Sequence, residues 1–143
     1  MNNDKYLYKK SQYSFFVIFI ILTIVLIVII SKKTELILLN IILLLFYKLT
    51  IIIDREKITA KFAFGIIKKS IKFDDINFDS IEKIKINWLT GIGLRITTDG
   101  ILYNVKPGFA IKINYINKTS SFLIGTDDFE SIKKVLILQK NRK

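Results

Sequence analysis

The sequence predicts a membrane α-helical hairpin followed by an α+β, mostly-β domain. That domain has about seven antiparallel strands in a sandwich or barrel, closed by one C-terminal amphipathic helix. Three observations predict it: two uncharged apolar runs near the N-terminus, a change from helical to alternating apolar period after residue 49, and a capped amphipathic segment at the end. The expected boundaries are a cytoplasmic tail at 1–12, a transmembrane hairpin at 13–48 with helices at about 13–31 and 34–48, and a β domain at 49–143 ending in a helix at about 128–139.

The first apolar run is FFVIFIILTIVLIVII, residues 15–30. With Tyr13, Ser14 and Ser31 it approaches the roughly 20 residues that cross a bilayer core. Tyr13, Phe15 and Phe16 lie where an interfacial aromatic belt is expected, preceded by Lys5, Lys9 and Lys10. A cleaved signal peptide is the rival reading, but ISKKTE after the run lacks the small residues of a cleavage site, which favours retention. The second run, LILLNIILLLFY at 36–47, must borrow flanking residues to span, with Lys48 snorkelling to the interface. The short SKKTE link implies an antiparallel hairpin. The lysine distribution then puts both termini in the cytoplasm of a cell-membrane protein. Asn40 is the strongly polar residue inside these runs, and an intramembrane amide of this kind is expected to contact another helix or chain, pointing to a homo-oligomer or a membrane protein partner.

Overall composition agrees with contact to lipid: 51% of residues are hydrophobic and mean hydropathy is +0.40. The chain has no Cys and no His, which removes disulfides, thiolate and imidazole chemistry, and nearly every zinc or copper site. No cofactor is expected. A net charge of +11 suits an anionic partner, although an Ile/Lys/Asn-rich composition alone also produces such an excess.

Strand-like alternation begins with Ile58, Ala60, Phe62 and Phe64 opposite Thr59, Lys61 and Ala63. It recurs through Ile84, Ile86 and Trp88, through Ile101, Tyr103 and Val105, and through Phe109, Ile111, Ile113 and Tyr115. Turn signals separate these runs at 54–57, Gly65, Asp99-Gly100, Pro107-Gly108 and Asn117-Lys118. The end differs: Asp127 is a candidate helix cap with Glu130 three residues later, and Phe129, Ile132, Val135 and Leu136 share one helical face.

The stretch GIGLRITTDGILYNVKPGFAIKI, followed by SFLIGTDDFESI, resembles the second half of bacterial pleckstrin-homology-like (PH-like) domains. LTIIIDREKITAKFAFGIIKKSIKFDDI resembles their first strands more loosely. The resemblance implies a PH-like fold carried by two membrane helices, and it implies no activity.

The Gly-rich segment around Gly91 and Gly93 is not a dinucleotide fingerprint, because Ile96 stands where a third glycine is needed and a strand follows. Gly91 and Gly93 read as a bulge or close-packing site, and Asp99-Gly100 as a type I′ hairpin turn. The pairs Asp74-Asp75 and Asp127-Asp128 read as a corner and a cap, because adjacent strand residues point to opposite faces. No serine sits in a nucleophile motif, so no enzyme activity is expected.

Lys61, Lys68, Lys69 and Lys72 form the densest basic cluster. By analogy with lipid-binding PH domains they are candidate anionic-headgroup contacts, the plain alternative being a solvated face. Nucleic acid is not an expected partner, since the aromatics alternate inward. The leading functional expectation is an integral membrane protein presenting a cytoplasmic PH-like module for protein or lipid interaction. The alternatives are a small accessory subunit of a transporter or secretion complex, and an anionic-lipid sensor.

Overall fold

Residues 6–87 and 92–141 are described by the structure, a computed structural model. Four strands form the first sheet: β1 (Tyr8–Tyr13), β2 (Lys48–Ile53), β3 (Lys57–Phe62) and β4 (Lys68–Lys72). They run antiparallel in the order β1-β2-β3-β4. The alternation in β2 and β3 sets the faces: Leu49, Ile51, Ile53, Ile58, Ala60 and Phe62 point inward and are buried. The β2–β3 turn is fixed by the Asp54 carboxylate, which accepts from the backbone N–H of Glu56 and of Lys57, both at 2.9 Å.

Between β1 and β2 the chain leaves the sheet for two packed helices, α1 (Phe15–Ser31) and α2 (Leu36–Leu44). They do not form a transmembrane hairpin. Ser14 caps α1, its hydroxyl accepting from the Val17 N–H at 3.3 Å, and Lys32 ends it in the left-handed conformation at φ 55°. Seventeen residues at about 1.5 Å each reach only about 25 Å, short of the roughly 30 Å hydrocarbon core. The nine residues of α2 reach only about 13 Å. That helix stops because Tyr47 already accepts the Ser14 N–H at 2.8 Å and Lys48 begins β2.

No helix among the described residues is long and apolar enough to cross a membrane. This finding overturns the integral, multi-pass membrane reading, the localisation built on it with both termini cytoplasmic, and the function of displaying a module from two spanning helices. Nor do the helices precede the folded domain as an anchor. They are an excursion from the β1–β2 pair, in which Tyr13 lies opposite Lys48.

The second sheet contains β5 (Glu82–Ile86), β6 (Gly93–Ile96), β7 (Gly100–Asn104), β8 (Gly108–Asn114) and β9 (Ser121–Gly125). Their order is β5-β8-β9-β7-β6, with β7 and β9 parallel and every other pair antiparallel. The expected PH-like plan of about seven antiparallel strands in a sandwich or barrel is therefore corrected: the described residues form nine strands in two sheets, neither closed into a barrel. Alternation specifies which face a residue occupies, but it is the same for parallel and antiparallel neighbours and does not name the partner.

The main core lies between the sheets, where Ile51, Ile58 and Phe62 of the first meet Tyr103, Ile111 and Phe122 of the second. The closing helix α3 (Phe129–Lys140) adds Phe129, Ile132 and Leu136 from one face. Phe62 stacks on Tyr103 with centroids 5.4 Å apart and meets Phe46 edge-on at 5.1 Å, joining both sheets to the base of the helical pair. Each such side chain stabilises the fold by roughly 1.5–3 kcal/mol on burial.

Candidate functional site

Two surfaces stand apart from the packed body. The first is the helical pair. In α1, Val17 and Ile24 are buried seven residues apart, with Ile20, Ile21 and Val28 half-buried along the same stripe. In α2, Leu36 and Leu43 are half-buried at helical spacing around the buried Asn40. These stripes are the seam between the helices. Outside it, fifteen large apolar side chains of α1 and α2 face outward, among them Phe15, Phe19, Leu22, Ile30 and Leu38. At roughly 100 Å² each they expose on the order of 1,000 Å² or more, against the 300–600 Å² of an ordinary monomer's largest patch.

Asn40 lies in this seam, 8% exposed, and its Oδ1 has no hydrogen-bond partner. An orphaned buried carbonyl costs about 1–3 kcal/mol. The amide is thus placed between the two helices of one chain.

The second surface is the outer face of the first sheet. Cross-strand partners share a face, so the register places Lys61 directly opposite Lys68 and Lys57 directly opposite Lys72. The same face carries Lys48 of β2 and Lys9 of β1, since Lys48 and Lys57 alternate with inward Leu49 and Ile58, and Lys9 pairs with Ile52. Hydroxyl pairs lie among them, Ser11 to Thr50 at 3.0 Å and Thr59 to Ser70 at 2.8 Å. The ion pairs among the described residues are Lys10–Asp128, Lys106–Asp127, Lys112–Asp99 and Lys140–Asp79, so none of these six lysines has a carboxylate partner there.

Of the four lysines singled out from sequence, Lys61, Lys68 and Lys72 come together on this face and Lys69 does not. Lys69 pairs with inward-facing Ala60, and its Nζ lies 5.8 Å from the ring centres of both Tyr115 and Phe122. Sequence reasoning missed Lys9, Lys48 and Lys57; the signal for Lys57 was present, at alternate spacing with Thr59 and Lys61.

The glycine and acidic positions are structural. Gly91 lies outside the described residues. Gly93, at φ 103°, packs with Phe46, whose ring a Cβ would meet at 3.5 Å. The β6–β7 turn is closed by Thr97 and Gly100, which exchange backbone hydrogen bonds at 2.7 and 3.2 Å, so Thr98 and Asp99 form its tip. Neither has positive φ, so the geometry is not type I′. Gly100 is needed because a Cβ there would stand 2.0 Å from the Ser121 carbonyl oxygen of β9. Asp127 pairs with Lys106 at the surface, and Glu130 sits exposed in the first turn of α3.

The residue at the start of α3 is Asp128. Its carboxylate accepts from the Tyr8 hydroxyl at 3.0 Å and from Lys10 Nζ at 3.2 Å. The Ser131 hydroxyl, then Lys10 and Tyr8, hold this carboxyl below its ordinary range against a partial loss of solvent. Burial, and next Asp128 itself, push the Tyr8 phenol well above its usual value. Among the described residues no three acidic side chains converge on a point where a metal ion would bind. No family model, curated protein or solved structure matches this chain.

Proposed function

We propose that this chain is a non-catalytic assembly module that associates with a second copy of itself through the outward faces of α1 and α2. The observation that carries the reading is a helical pair apolar on every side, with Phe15 82% and Ile30 74% exposed. A helix hydrophobic all round is a buried helix. The outward faces exceed the roughly 800 Å² per partner of a standard interface.

A second copy fits because the patch is self-complementary. From Phe15 to Ile30 the single polar side chain is Thr23, and its hydroxyl already donates to the Phe19 carbonyl at 2.9 Å. No group on that helix demands a matching donor or charge, so the same surface on a two-fold mate satisfies it. Lys32, Lys33 and Glu35 form a polar rim at the tip. The absence of His and Cys supports a role in binding over catalysis.

The test is sedimentation of the full chain across a wide concentration range, beside the double variant Leu22→Glu/Leu26→Lys. Wild type should sediment as a dimer or larger homomer, and the variant as a monomer with unchanged circular dichroism. A monomeric wild type, or a folded variant with wild-type mass, would overturn the reading.

A further inference from the structure

The outer face of the first sheet has a charge arrangement that folding does not call for. Lys61 opposes Lys68 and Lys57 opposes Lys72 as direct cross-strand neighbours, the placement in which like charges destabilise a sheet. Lysines on an edge strand do serve to block edge-to-edge pairing, which accounts for Lys68 and Lys72 on β4. It does not account for Lys57 and Lys61 on β3 or Lys48 on β2, which are interior strands. A repulsive array kept where the sheet gains nothing from it is an array shaped for an anion.

We propose that this face is a peripheral docking surface for the anionic headgroups of a lipid bilayer, engaged by adsorption with no segment crossing. The shape of the array selects this partner. Six lysines are spread in two dimensions over four strands, about 14 Å across at the usual strand spacing. A convergent pocket for one phosphate would gather them, and a nucleic-acid track would line them up along a single groove that follows the backbone. The same rows also hold hydroxyls, Ser11 and Thr50 in register with Lys61 and Lys68, and Thr59 and Ser70 in register with Lys9. Flexible ammonium groups, each a point charge, suit laterally mobile headgroups better than the fixed fork of arginine, which is absent from these four strands. At its β1–β2 end the face runs to Tyr13 and Lys48, whose Nζ lies 5.4 Å from the Tyr13 ring centre. The lysines are on the sheet, not on the association surface of α1 and α2, so the two proposals fail separately.

The experiment is co-flotation of the full chain with vesicles of neutral phosphatidylcholine and with vesicles containing about one-third phosphatidylserine. Binding should require the anionic lipid and weaken steeply between low and physiological salt. Each lysine at such a surface contributes about five-fold in affinity, so Lys61→Gln/Lys68→Gln should bind roughly 25-fold more weakly. Lys133→Gln/Lys134→Gln on α3 should change it far less. The Lys61/Lys68 variant should melt no lower than wild type, which separates lost binding from lost folding. Equal flotation with neutral vesicles would overturn the proposal, as would wild-type affinity in that variant. So would saturable binding of inorganic phosphate that abolishes flotation, or tighter binding to single-stranded DNA than to the vesicles.

Discussion

The Tyr8 hydroxyl donates to the Asp128 carboxylate at 3.0 Å across 120 residues of sequence, tying the first strand to the entry of the last helix. Lys10 reaches the same oxygen at 3.2 Å, and Gln12 of the same strand donates to the Gly125 carbonyl at 2.8 Å. Strand β1 is thus held by a polar inner face. Asp128→Asn should destabilise the fold by about 1.5 kcal/mol and Tyr8→Phe by about 1 kcal/mol. Denaturant melts of the double variant should fall short of the sum. Strict additivity would mean that the two groups do not interact.

The same node sets a pH dependence. The Asp128 carboxyl titrates below its ordinary value of 3.8, so its stabilising contribution is present above that value and is lost as pH falls through the depressed one. The Tyr8 phenol titrates above its ordinary value of 10.0, so its contribution is complete below pH 10 and is lost as pH rises beyond it. Melting temperature measured against pH should therefore drop on both limbs, with the acid limb shallower in Asp128→Asn and the alkaline limb shallower in Tyr8→Phe. Variant profiles parallel to wild type would remove the node from the titration.

Phe62 bridges Tyr103 of the second sheet and Phe46 at the foot of the helical pair while almost fully buried. Phe62→Ala should cost about 3–5 kcal/mol, because three elements converge there and the void has no single neighbour to fill it. Phe64→Ala, two residues on and 66% exposed, should cost well under 1 kcal/mol. Comparable losses from both would show that the ring at 62 does not join the sheets.

What the sequence made legible followed from local physics. In β2 and β3, alternate positions 49, 51, 53 and 58, 60, 62 are apolar because they face one core, and period reveals a face. In β1 the inward positions are Tyr8, Lys10 and Gln12, whose partners are Asp128 and the Gly125 carbonyl, so no apolar alternation marked it. The apolar runs marked α1 and α2, but their ends are set by the Ser14 cap, the left-handed Lys32 and the pairing of Tyr13 with Lys48. That pairing depends on β1, which no apolar pattern reveals, so the apolar runs alone overstate the length of both helices. The basic face was half legible: Lys68 and Lys69 are adjacent, and adjacent strand residues point to opposite sides.

Gly100 illustrates a residue whose role is tertiary. Its φ of 147° is disfavoured for other residues, and its Cα abuts the parallel neighbour β9 at Ser121. Gly100→Ala should destabilise by about 3 kcal/mol or more through overpacking and backbone strain together. In a chain of this size that lowers the melting temperature by roughly 6–12 °C. Gly108→Ala meets no atom within 4 Å and carries only the strain of φ 137°, so it should cost distinctly less. Equal losses would locate the penalty in backbone conformation alone.

The opposed lysines make a prediction of unusual sign. Replacing Lys68 with Glu turns the Lys61–Lys68 repulsion into an attraction on neighbouring positions of one sheet face. Most surface substitutions are neutral or destabilising, but this one should stabilise by about 0.2–1 kcal/mol. The melting temperature should rise by roughly 1–3 °C at low ionic strength. Near 1 M salt, where the Debye length is about 3 Å, most of that gain should vanish. Lys69→Glu, on the opposite face above Tyr115 and Phe122, should instead lower the melting temperature, because it removes a cation from two rings and sets a carboxylate in its place. A fall in both variants, or a Lys68→Glu gain that ignores salt, would show that the ammonium groups at 61 and 68 do not repel one another in the folded sheet.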